Sequence, residues 1–191
     1  MLCNFCFTSR KAALFALLAV ALLAAAPVGA QQNAMNDWHE ELPQAQAVGQ
    51  GEFRWFGLSI YGATLWSSHK PFDRHAPFAL QLTYHRHIGA QRFVDTSIDE
   101  MRRLAGKNNA PLSADQLRKW ESYLSRTFPD VSNGDQLIGI FIPGKGCRFY
   151  SRDRLLSEID DPEFADAFFS IWLDPQSRDS ELREQLLGQK K

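Results

Sequence analysis

The amino-acid sequence predicts a single α+β domain in which an antiparallel β-sheet packs against a layer of α-helices. The 191 residues include 45% hydrophobic and 23% charged side chains, an ordinary globular composition for one domain. Segments rich in aromatic and β-branched residues occur in two separate blocks, and segments with helical periodicity follow each block. Grouped strands followed by grouped helices favour an α+β arrangement over the strict alternation of an α/β fold.

The first 30 residues are predicted to form a cleavable secretory signal. Arg10 and Lys11 precede an apolar run over residues 12–26, and the segment ends in small residues at Ala30. The run is 15 residues long, whereas a helix that crosses a bilayer needs about 20. We therefore expect an exported, periplasmic protein without a transmembrane anchor.

After that leader, we expect a polar lead-in over residues 31–47 and one folded domain over residues 48–188. The chain beyond residue 30 carries 19 basic and 22 acidic side chains, so no basic excess is present to neutralise a nucleic-acid backbone. Cys147 is the single cysteine of this part, which excludes an internal disulfide, and we expect it to be a small core or strand residue. Nucleic acid is therefore not expected as a partner.

The first block of strands is predicted in residues 53–66 and 78–87. The first segment is rich in aromatic and β-branched residues, which suit a pleated surface, and Gly57 and Gly62 are expected to mark bends or bulges. In the second segment apolar and polar residues alternate, which predicts a half-buried strand. The apolar side chains expected to share one face of it are Leu80, Leu82 and Tyr84.

Two adjacent amphipathic helices are predicted next. The first carries apolar residues at helical spacing from Phe93 onward, with charged residues between them, and ends at Gly106. The second has Ser113 as its N-cap residue and an aromatic stripe that ends before Pro129. This aromatic stripe, residues 120–128, and a later one over residues 164–172 are predicted to be helix faces that pack on the sheet.

The second block of elements follows a turn signal at Asn133 and Gly134. Asp160 or Asp161 is expected to cap a helix, since Pro162 follows at a position where proline starts helices well. The expected strands cover residues 136–142, 147–151 and 155–159. A helix then starts at Pro162, runs through Trp172 and is broken by Asp174 and Pro175, and a last helix covers residues 179–187.

Residue types alone assign no catalytic or metal site. His85 and His87 share one face of a predicted strand and could hold a metal if a third ligand came from elsewhere, but strand-end histidines explain them more simply. The serines lack a Gly-x-Ser-x-Gly elbow, and the glycines around Lys145 lack the phosphate-binding pattern. We therefore expect no metal and no cofactor.

Four phrases of the sequence, in the same order, resemble the chalcone isomerase-like superfamily. The phrases are Gly49-Gln50-Gly51-Glu52-Phe53-Arg54 leading into Ile60-Tyr61-Gly62-Ala63-Thr64-Leu65-Trp66, then Leu80-Gln81-Leu82-Thr83-Tyr84-His85-Arg86, Phe141-Ile142-Pro143-Gly144 and Phe168-Phe169-Ser170-Ile171-Trp172-Leu173. The resemblance covers about residues 48–188. With the predicted signal, the chain is most similar to the exported bacterial branch.

The resemblance implies an antiparallel sheet wrapped by helices, with a ligand cleft between sheet and helices. In plant enzymes of the superfamily an Arg guides closure of a flavanone ring, while Thr, Tyr and Asn hold the ketone and an ordered water. Non-catalytic relatives bind a fatty-acid carboxylate in this cleft with an Arg and a Tyr. Arg54 is the implied counterpart of the family Arg, although it lies one residue away from the usual spacing. That difference matters because a shift of one residue along a strand moves a side chain to the opposite face of the sheet.

The other positions of the enzyme set depart from the family pattern. Tyr61 stands where the enzymes carry Thr, and Arg92 and Asp99 stand where their Tyr and Asn are expected. We therefore expect a non-catalytic binder of a small amphipathic anion, such as a fatty acid or a phenolic compound. The expected ligand-binding residues are Arg54, Tyr61 and Tyr84.

Two alternatives remain open at this point. One is an intramolecular lyase or isomerase of the chalcone isomerase type, in which Arg54 orients the nucleophile and Tyr61 or Tyr84 polarises the carbonyl. The other is an interaction protein of the cell envelope whose closed core holds no ligand. The first alternative predicts turnover of a chalcone that is lost in Arg54→Ala. The second predicts that the protein's own side chains fill the cleft.

Overall fold

The structure of the protein is a computed structural model that describes residues 38–152 and 154–190. Within these residues, six strands form one antiparallel sheet in chain order, accompanied by four α-helices. The strands are β1 (Gln46–Trp55), β2 (Leu58–Ser67), β3 (Phe78–Tyr84), β4 (Gln136–Ile142), β5 (Gly146–Ser151) and β6 (Arg154–Ile159). The helices are α1 (Ala90–Lys107), α2 (Ala114–Thr127), α3 (Pro162–Leu173) and α4 (Ser180–Leu186). The predicted α+β class is confirmed.

The N-terminal leader falls outside this description. The predicted signal peptide, residues 1–30, and the first part of the predicted lead-in lie outside the described residues. Across residues 38–152 and 154–190, no helix combines the length and the apolar character needed to cross a membrane.

The two faces of the sheet bury different side chains, because successive residues of a strand point to opposite faces. The helices cover one face, where a large apolar cluster includes Leu80, Leu82 and Tyr84 of β3. These are the three side chains predicted to share a face. On the other face a short 3-10 helix, Trp38–Glu40, adds its buried tryptophan to a smaller cluster that includes Ile138. The domain is therefore an open-faced sandwich whose second face is partly covered by the segment before β1.

The first hairpin differs from its prediction. Phe56 and Gly57 form a two-residue turn between two strands, with φ angles of 47° and 77°. Both angles are positive, as in the type I′ turns that join antiparallel strands tightly. The expected irregularity at Gly62 is wrong, because Gly62 pairs in regular register with both neighbouring strands. The shifts of register lie instead beside Val48 in β1 and Ile60 in β2.

β3 ends at Tyr84, three residues earlier than predicted. The Tyr84 amide donates to the carbonyl of Asp135, which directly precedes β4, so the partner strand does not extend further. His85 and His87 consequently lie in the connection to α1 and do not share a strand face. The metal-compatible spacing that the sequence suggested for them depended on a longer strand.

The helix starts follow the predicted capping residues. Ser113 accepts a hydrogen bond from the Gln116 amide, and the Gln116 side chain accepts one from the Ser113 amide, which makes a capping box for α2. Asp161 caps α3 by accepting from the Phe164 amide, and Pro162 occupies the first helical position. Of the two candidate caps for α3, the structure therefore selects Asp161.

The lone cysteine of the folded part behaves as a core residue. Cys147 is buried at the start of β5, as the sequence predicted. Burial raises the pKa of its thiol well above the usual range. The thiol is therefore protonated at neutral pH and packs as a small apolar side chain.

Candidate functional site

A cavity of about 580 Å³ lies between strands β1 to β3 and helices α1, α3 and α4. Its volume falls within the roughly 300–1,000 Å³ of small-molecule sites. Its apolar lining residues are Phe53, Trp55, Ile60, Tyr61, Leu82, Tyr84, Ile88, Phe93, Ile171, Trp172 and Leu182. Its polar and charged lining residues are Arg86, His87, Arg92, Thr96, Ser97, Asp99, Glu100, Ser177, Arg178 and Asp179. The cavity lies where the family resemblance implies a cleft, between sheet and helices.

A bulge in β2 sets which side chains of the first hairpin reach the cavity. Phe53 pairs with Tyr61, but Arg54 pairs two residues earlier in β2, so Ile60 is an extra residue there. The Phe53 and Tyr61 rings stack with their centroids 5.1 Å apart. Because Phe53 and Trp55 both line the cavity, alternation along the strand turns the intervening Arg54 to the opposite face.

Arg54, an expected ligand-binding residue, is not among the residues that line the cavity. Its guanidinium donates to Glu52 Oε2 over 2.5 Å, and its side chain is 61% exposed. Glu52 also accepts a hydrogen bond from the Ser59 hydroxyl, and these two contacts lower the pKa of the Glu52 carboxyl. The structure therefore separates Arg54 from the two expected tyrosines, because strand parity assigns it to the other face.

Tyr61 and Tyr84, the other two expected ligand-binding residues, both line the cavity. They pair across β2 and β3, and their ring centroids are 5.8 Å apart. Trp172 Nε1 donates a hydrogen bond to the Tyr61 hydroxyl over 3.0 Å. The Tyr84 hydroxyl is buried and has no hydrogen-bond partner among the described residues. The structure thus brings the two tyrosines together, and their binding role stays a prediction.

Burial makes both phenols harder to ionise than an exposed tyrosine. Loss of hydration raises the pKa of Tyr61 and of Tyr84 well above the ordinary tyrosine value. Each hydroxyl therefore remains a hydrogen-bond donor at neutral pH and does not supply a phenolate base. A buried donor without a partner costs about 1–3 kcal/mol. Any hydrogen-bond acceptor that enters the cavity and reaches the Tyr84 hydroxyl would recover part of that cost.

The charged residues that line the cavity differ in the number and kind of their hydrogen-bond and ion-pair partners. Glu100 is buried and pairs with Arg178 over 2.5 Å and with Arg103 over 2.9 Å. Arg86 donates through Nε to a backbone carbonyl of β2 over 2.9 Å. Arg92 makes no hydrogen bond or ion pair with any residue that the structure describes. Neither Arg86 nor Arg92 therefore pairs with a described carboxylate, and Arg92 also lacks a described hydrogen bond, which leaves its whole guanidinium available.

Sequence reasoning missed the place of Arg92 and Trp172 in the cavity. The resemblance put Arg92 and Asp99 at positions of the enzyme set, and both residues line the cavity, but neither was expected to bind a ligand. Arg92, Thr96 and Asp99 recur at spacings of four and three, which places them on one face of α1 and was the available signal. Trp172 was expected only to pack a helix against the sheet, and it also donates to Tyr61.

The two histidines of the β3 to α1 connection have different surroundings. His85 Nε2 lies 3.5 Å from Glu52 Oε1, whereas His87 lines the cavity. In the described part of the chain, no group of three or more His, Cys, Asp or Glu side chains is arranged to hold a metal.

Comparison with known proteins links the chain to one family. The chalcone isomerase-like family model matches residues 53–188. An uncharacterized protein from Haemophilus influenzae is 31% identical over 147 residues, which cover 76% of this chain and 69% of that protein. Among solved structures, a fatty-acid binding protein from Arabidopsis thaliana matches with a TM-score of 0.60 and 8% identity, over 76% of this chain and 87% of that chain. The structural similarity concerns the fold alone, but the family model spans nearly all of the folded domain. This chain belongs to the chalcone isomerase-like family.

Proposed function

We propose that this protein binds a small amphipathic anion in the cavity and does not convert it. The proposed ligand is a fatty acid or a phenolic compound. The observation that carries the proposal is the Tyr84 hydroxyl, a buried donor on a residue that lines a largely apolar cavity, with no described partner. Buried polar groups are nearly always paired, so an unpaired donor beside a cavity of ligand size indicates an acceptor on a ligand.

The apolar part of the ligand is proposed to lie along the aromatic wall of the cavity. Phe53 and Tyr61 stack in that wall, and Leu82, Phe93 and Leu182 extend the apolar lining on the strands and helices. Burial of apolar surface contributes about 25 cal/mol per Å² to binding before the cost of ordering the ligand is subtracted. An acyl chain or an aromatic ring supplies such surface.

The anionic head group is proposed to accept a hydrogen bond from Tyr84 and to pair with Arg92. A guanidinium binds a carboxylate or phenolate by charge-assisted hydrogen bonds, which are about twice as strong as neutral ones. Arg92 has no competing ion pair among the described residues. Arg54 is paired with Glu52 and does not line the cavity, so Arg92 replaces it as the proposed cationic partner.

Two features support binding over ring closure. The positions at which the family resemblance expects the Thr, Tyr and Asn of the enzymes hold Tyr61, Arg92 and Asp99. Tyr61 and Tyr84 are protonated phenols at neutral pH, so neither is suited to remove a proton from a substrate. The fatty-acid binding protein of Arabidopsis, which shares the fold, adds support for a carboxylate ligand.

Native mass spectrometry combined with lipid extraction tests the ligand class. We expect protein purified from its own cells to carry an acyl or phenolic species. Displacement of a fluorescent fatty acid then measures affinity, and we expect Tyr84→Phe and Arg92→Gln each to weaken binding about tenfold. Lys145→Gln, in the distant turn between β4 and β5, is the control and is expected to bind as the parent does. Protein that carries no such species and takes up neither fatty acids nor phenols contradicts the proposal.

The same preparation tests the intramolecular lyase. We expect no closure of a chalcone ring above the uncatalysed rate. A rate increase that disappears in Tyr84→Phe assigns the lyase instead. Arg54→Ala addresses the prediction made from the sequence for Arg54, and we expect it to retain ligand affinity because Arg54 does not line the cavity.

We further propose that the protein is exported to the periplasm as a member of the exported bacterial branch of the family. The basic and apolar leader over residues 1–30 supports this proposal. The intact mass of the protein from a periplasmic fraction is expected to match a chain that begins at residue 31. A full-length chain that remains in the cytoplasmic fraction contradicts export.

A further inference from the structure

The turn between β1 and β2 exposes three large apolar side chains. Trp55, Phe56 and Leu58 are 49%, 90% and 51% exposed, and no other large apolar side chain in the described residues is comparably exposed. The rings of Trp55 and Phe56 meet edge to face with centroids 5.1 Å apart. We call these three residues, together with Gly57, the hairpin tip. The hairpin tip is a small continuous apolar surface at one end of the sheet.

Phe56 occupies a backbone position that disfavours it. Its φ of 47° lies in the left-handed region, which glycine, asparagine and aspartate adopt more readily than a bulky aromatic residue. The side chain gains almost no burial in return, since it is 90% exposed. Packing within the domain therefore does not explain an aromatic residue here, and a strained, exposed residue suggests a contact outside the domain.

Basic residues border the hairpin tip. Arg54 lies directly before it in β1, and Arg86 donates to the carbonyl of Ser59, one residue beyond Leu58. Glu52 pairs with Arg54 and contributes the one carboxylate of this group. Two guanidinium groups against one carboxylate leave a positive excess beside the apolar surface. That excess complements an anionic surface.

We propose that the hairpin tip docks on an anionic lipid bilayer, with its apolar side chains in the interfacial layer and its bordering arginines at the head groups. Aromatic residues favour that layer, and interfacial binding combines shallow apolar insertion with attraction to anionic lipid. Trp55 belongs to the hairpin tip and also lines the cavity, so docking brings the cavity next to the lipid. The use of this arrangement, delivery of an amphipathic anion, rests on the proposed function, whereas docking itself needs no ligand.

Co-sedimentation with lipid vesicles tests the docking surface. We expect the protein purified from its own cells to associate with mixed phosphatidylcholine and phosphatidylglycerol vesicles and only weakly with phosphatidylcholine alone. Phe56→Gly is expected to reduce this association about tenfold, because it removes the most exposed apolar side chain. Since glycine suits the positive φ of this position, the variant is expected to fold at least as well as the parent.

A matched pair of charge variants separates the hairpin tip from the rest of the surface. Arg54→Gln is expected to weaken association about fivefold. Lys145→Gln removes the same charge in the turn after β4, at the far end of the sheet, and is expected to change nothing. Equal association of Phe56→Gly and the parent, or an absence of preference for anionic vesicles, overturns the proposal.

Uptake of a fluorescent fatty acid from solution, measured without vesicles, distinguishes this proposal from the proposed function. Reduced vesicle association of Phe56→Gly with unchanged uptake supports both. If the parent associates with anionic vesicles but takes up no fatty acid or phenol, the proposed function fails and docking is supported. If the parent takes up the ligand but shows no preference for anionic vesicles, docking fails and the proposed function is supported.

Discussion

The two halves of the helix-covered face of the sheet differ in how completely they are filled. In the closed half, beside β4 and β5, the rings of Phe149, Phe164 and Phe168 interlock with centroids 5.1 to 6.5 Å apart. A void of only about 20 Å³ is left beside Phe149 and Phe168. The open half, bounded by β1 to β3 with α1 and α4, encloses the cavity of about 580 Å³.

The two halves also differ in polar groups that lack a partner, although Glu100 and Tyr61 of the open half are paired. In the closed half, Trp120 Nε1 donates to Asp161 over 3.3 Å, and the Asp161 carboxylate also pairs with Lys119 over 2.8 Å. In the open half, the Tyr84 hydroxyl and the Arg92 guanidinium have no partner among the described residues. We therefore expect the closed half to supply much of the stability, and the open half to keep the polar groups that pair with the proposed ligand.

The largest expected effect lies in the closed half. Phe149→Ala removes a fully buried ring, and we expect it to lower the free energy of unfolding by about 3–5 kcal/mol, because the interlocked neighbours leave a cavity. Trp55→Ala, in the open half, is expected to cost less than about 1.5 kcal/mol, since that side chain is half exposed. Urea denaturation measures both. Equal losses would contradict the division into a closed and an open half.

The next effect concerns how α4 is held against the open half. A Cβ at Gly49 would lie 2.0 Å from the carbonyl oxygen of Gln185 in α4, so Gly49→Ala must displace backbone. We expect a loss of about 2 kcal/mol in the free energy of unfolding and weaker ligand binding, because α4 lines the cavity. Gly106→Ala is the control, since its Cβ meets nothing within 4 Å, and it should stabilise α1 by about 0.5–1 kcal/mol. A Gly49→Ala protein as stable as the parent would show that this contact does not seat α4.

A smaller effect is expected in acid, again in the closed half. Burial opposes ionisation of Asp161, but hydrogen bonds from Lys119 and from the Phe164 amide outweigh it and lower the pKa of the carboxyl. Because the pKa is lower in the folded than in the unfolded protein, the ionised carboxylate stabilises the fold at pH values above the unfolded-state pKa of about 3.9. This stabilisation is lost as the pH falls through the folded-state pKa. Asp161→Asn is therefore expected to cost about 1 kcal/mol at neutral pH and to flatten the loss of stability below about pH 4. Urea denaturation at a series of pH values measures this, and an unchanged acid slope would contradict it.

The smallest effect on stability is expected at Tyr84, for which Tyr150 serves as the matched tyrosine. Tyr150, on the second face of the sheet, donates its hydroxyl to Glu41, so Tyr150→Phe is expected to cost about 1 kcal/mol. Tyr84→Phe removes a hydroxyl without a described partner, so the stability of the ligand-free protein should stay the same or rise by up to about 1 kcal/mol. Thermal or urea denaturation of protein freed of ligand compares the two. A clear loss of stability in Tyr84→Phe would mean that its hydroxyl is already paired in the free protein.

Most of the fold could be predicted because its signals are local. β4 occupies residues 136–142 as predicted, and the caps at Ser113 and Asp161 depend on contacts within three residues of the chain. The first hairpin was harder to predict, because Phe56 is an unusual residue for a turn with positive φ. The end of β3 was also missed, since it depends on where its partner strand begins.

The candidate site was predicted less completely. Period-two alternation was enough to indicate that Tyr84 shares a face with Leu80 and Leu82, because side-chain direction along a regular strand is a local property. That this face lies under the helices was decided by the tertiary structure. The choice of cation depended on the tertiary structure. The bulge at Ile60 shifts the pairing of β1 with β2 by one residue. Arg54 lies between Phe53 and Trp55, which both face the cavity, so the Arg54 side chain faces away from it. Arg92 reaches the same cavity from α1, because packing of helix on sheet brings together residues that are distant along the chain.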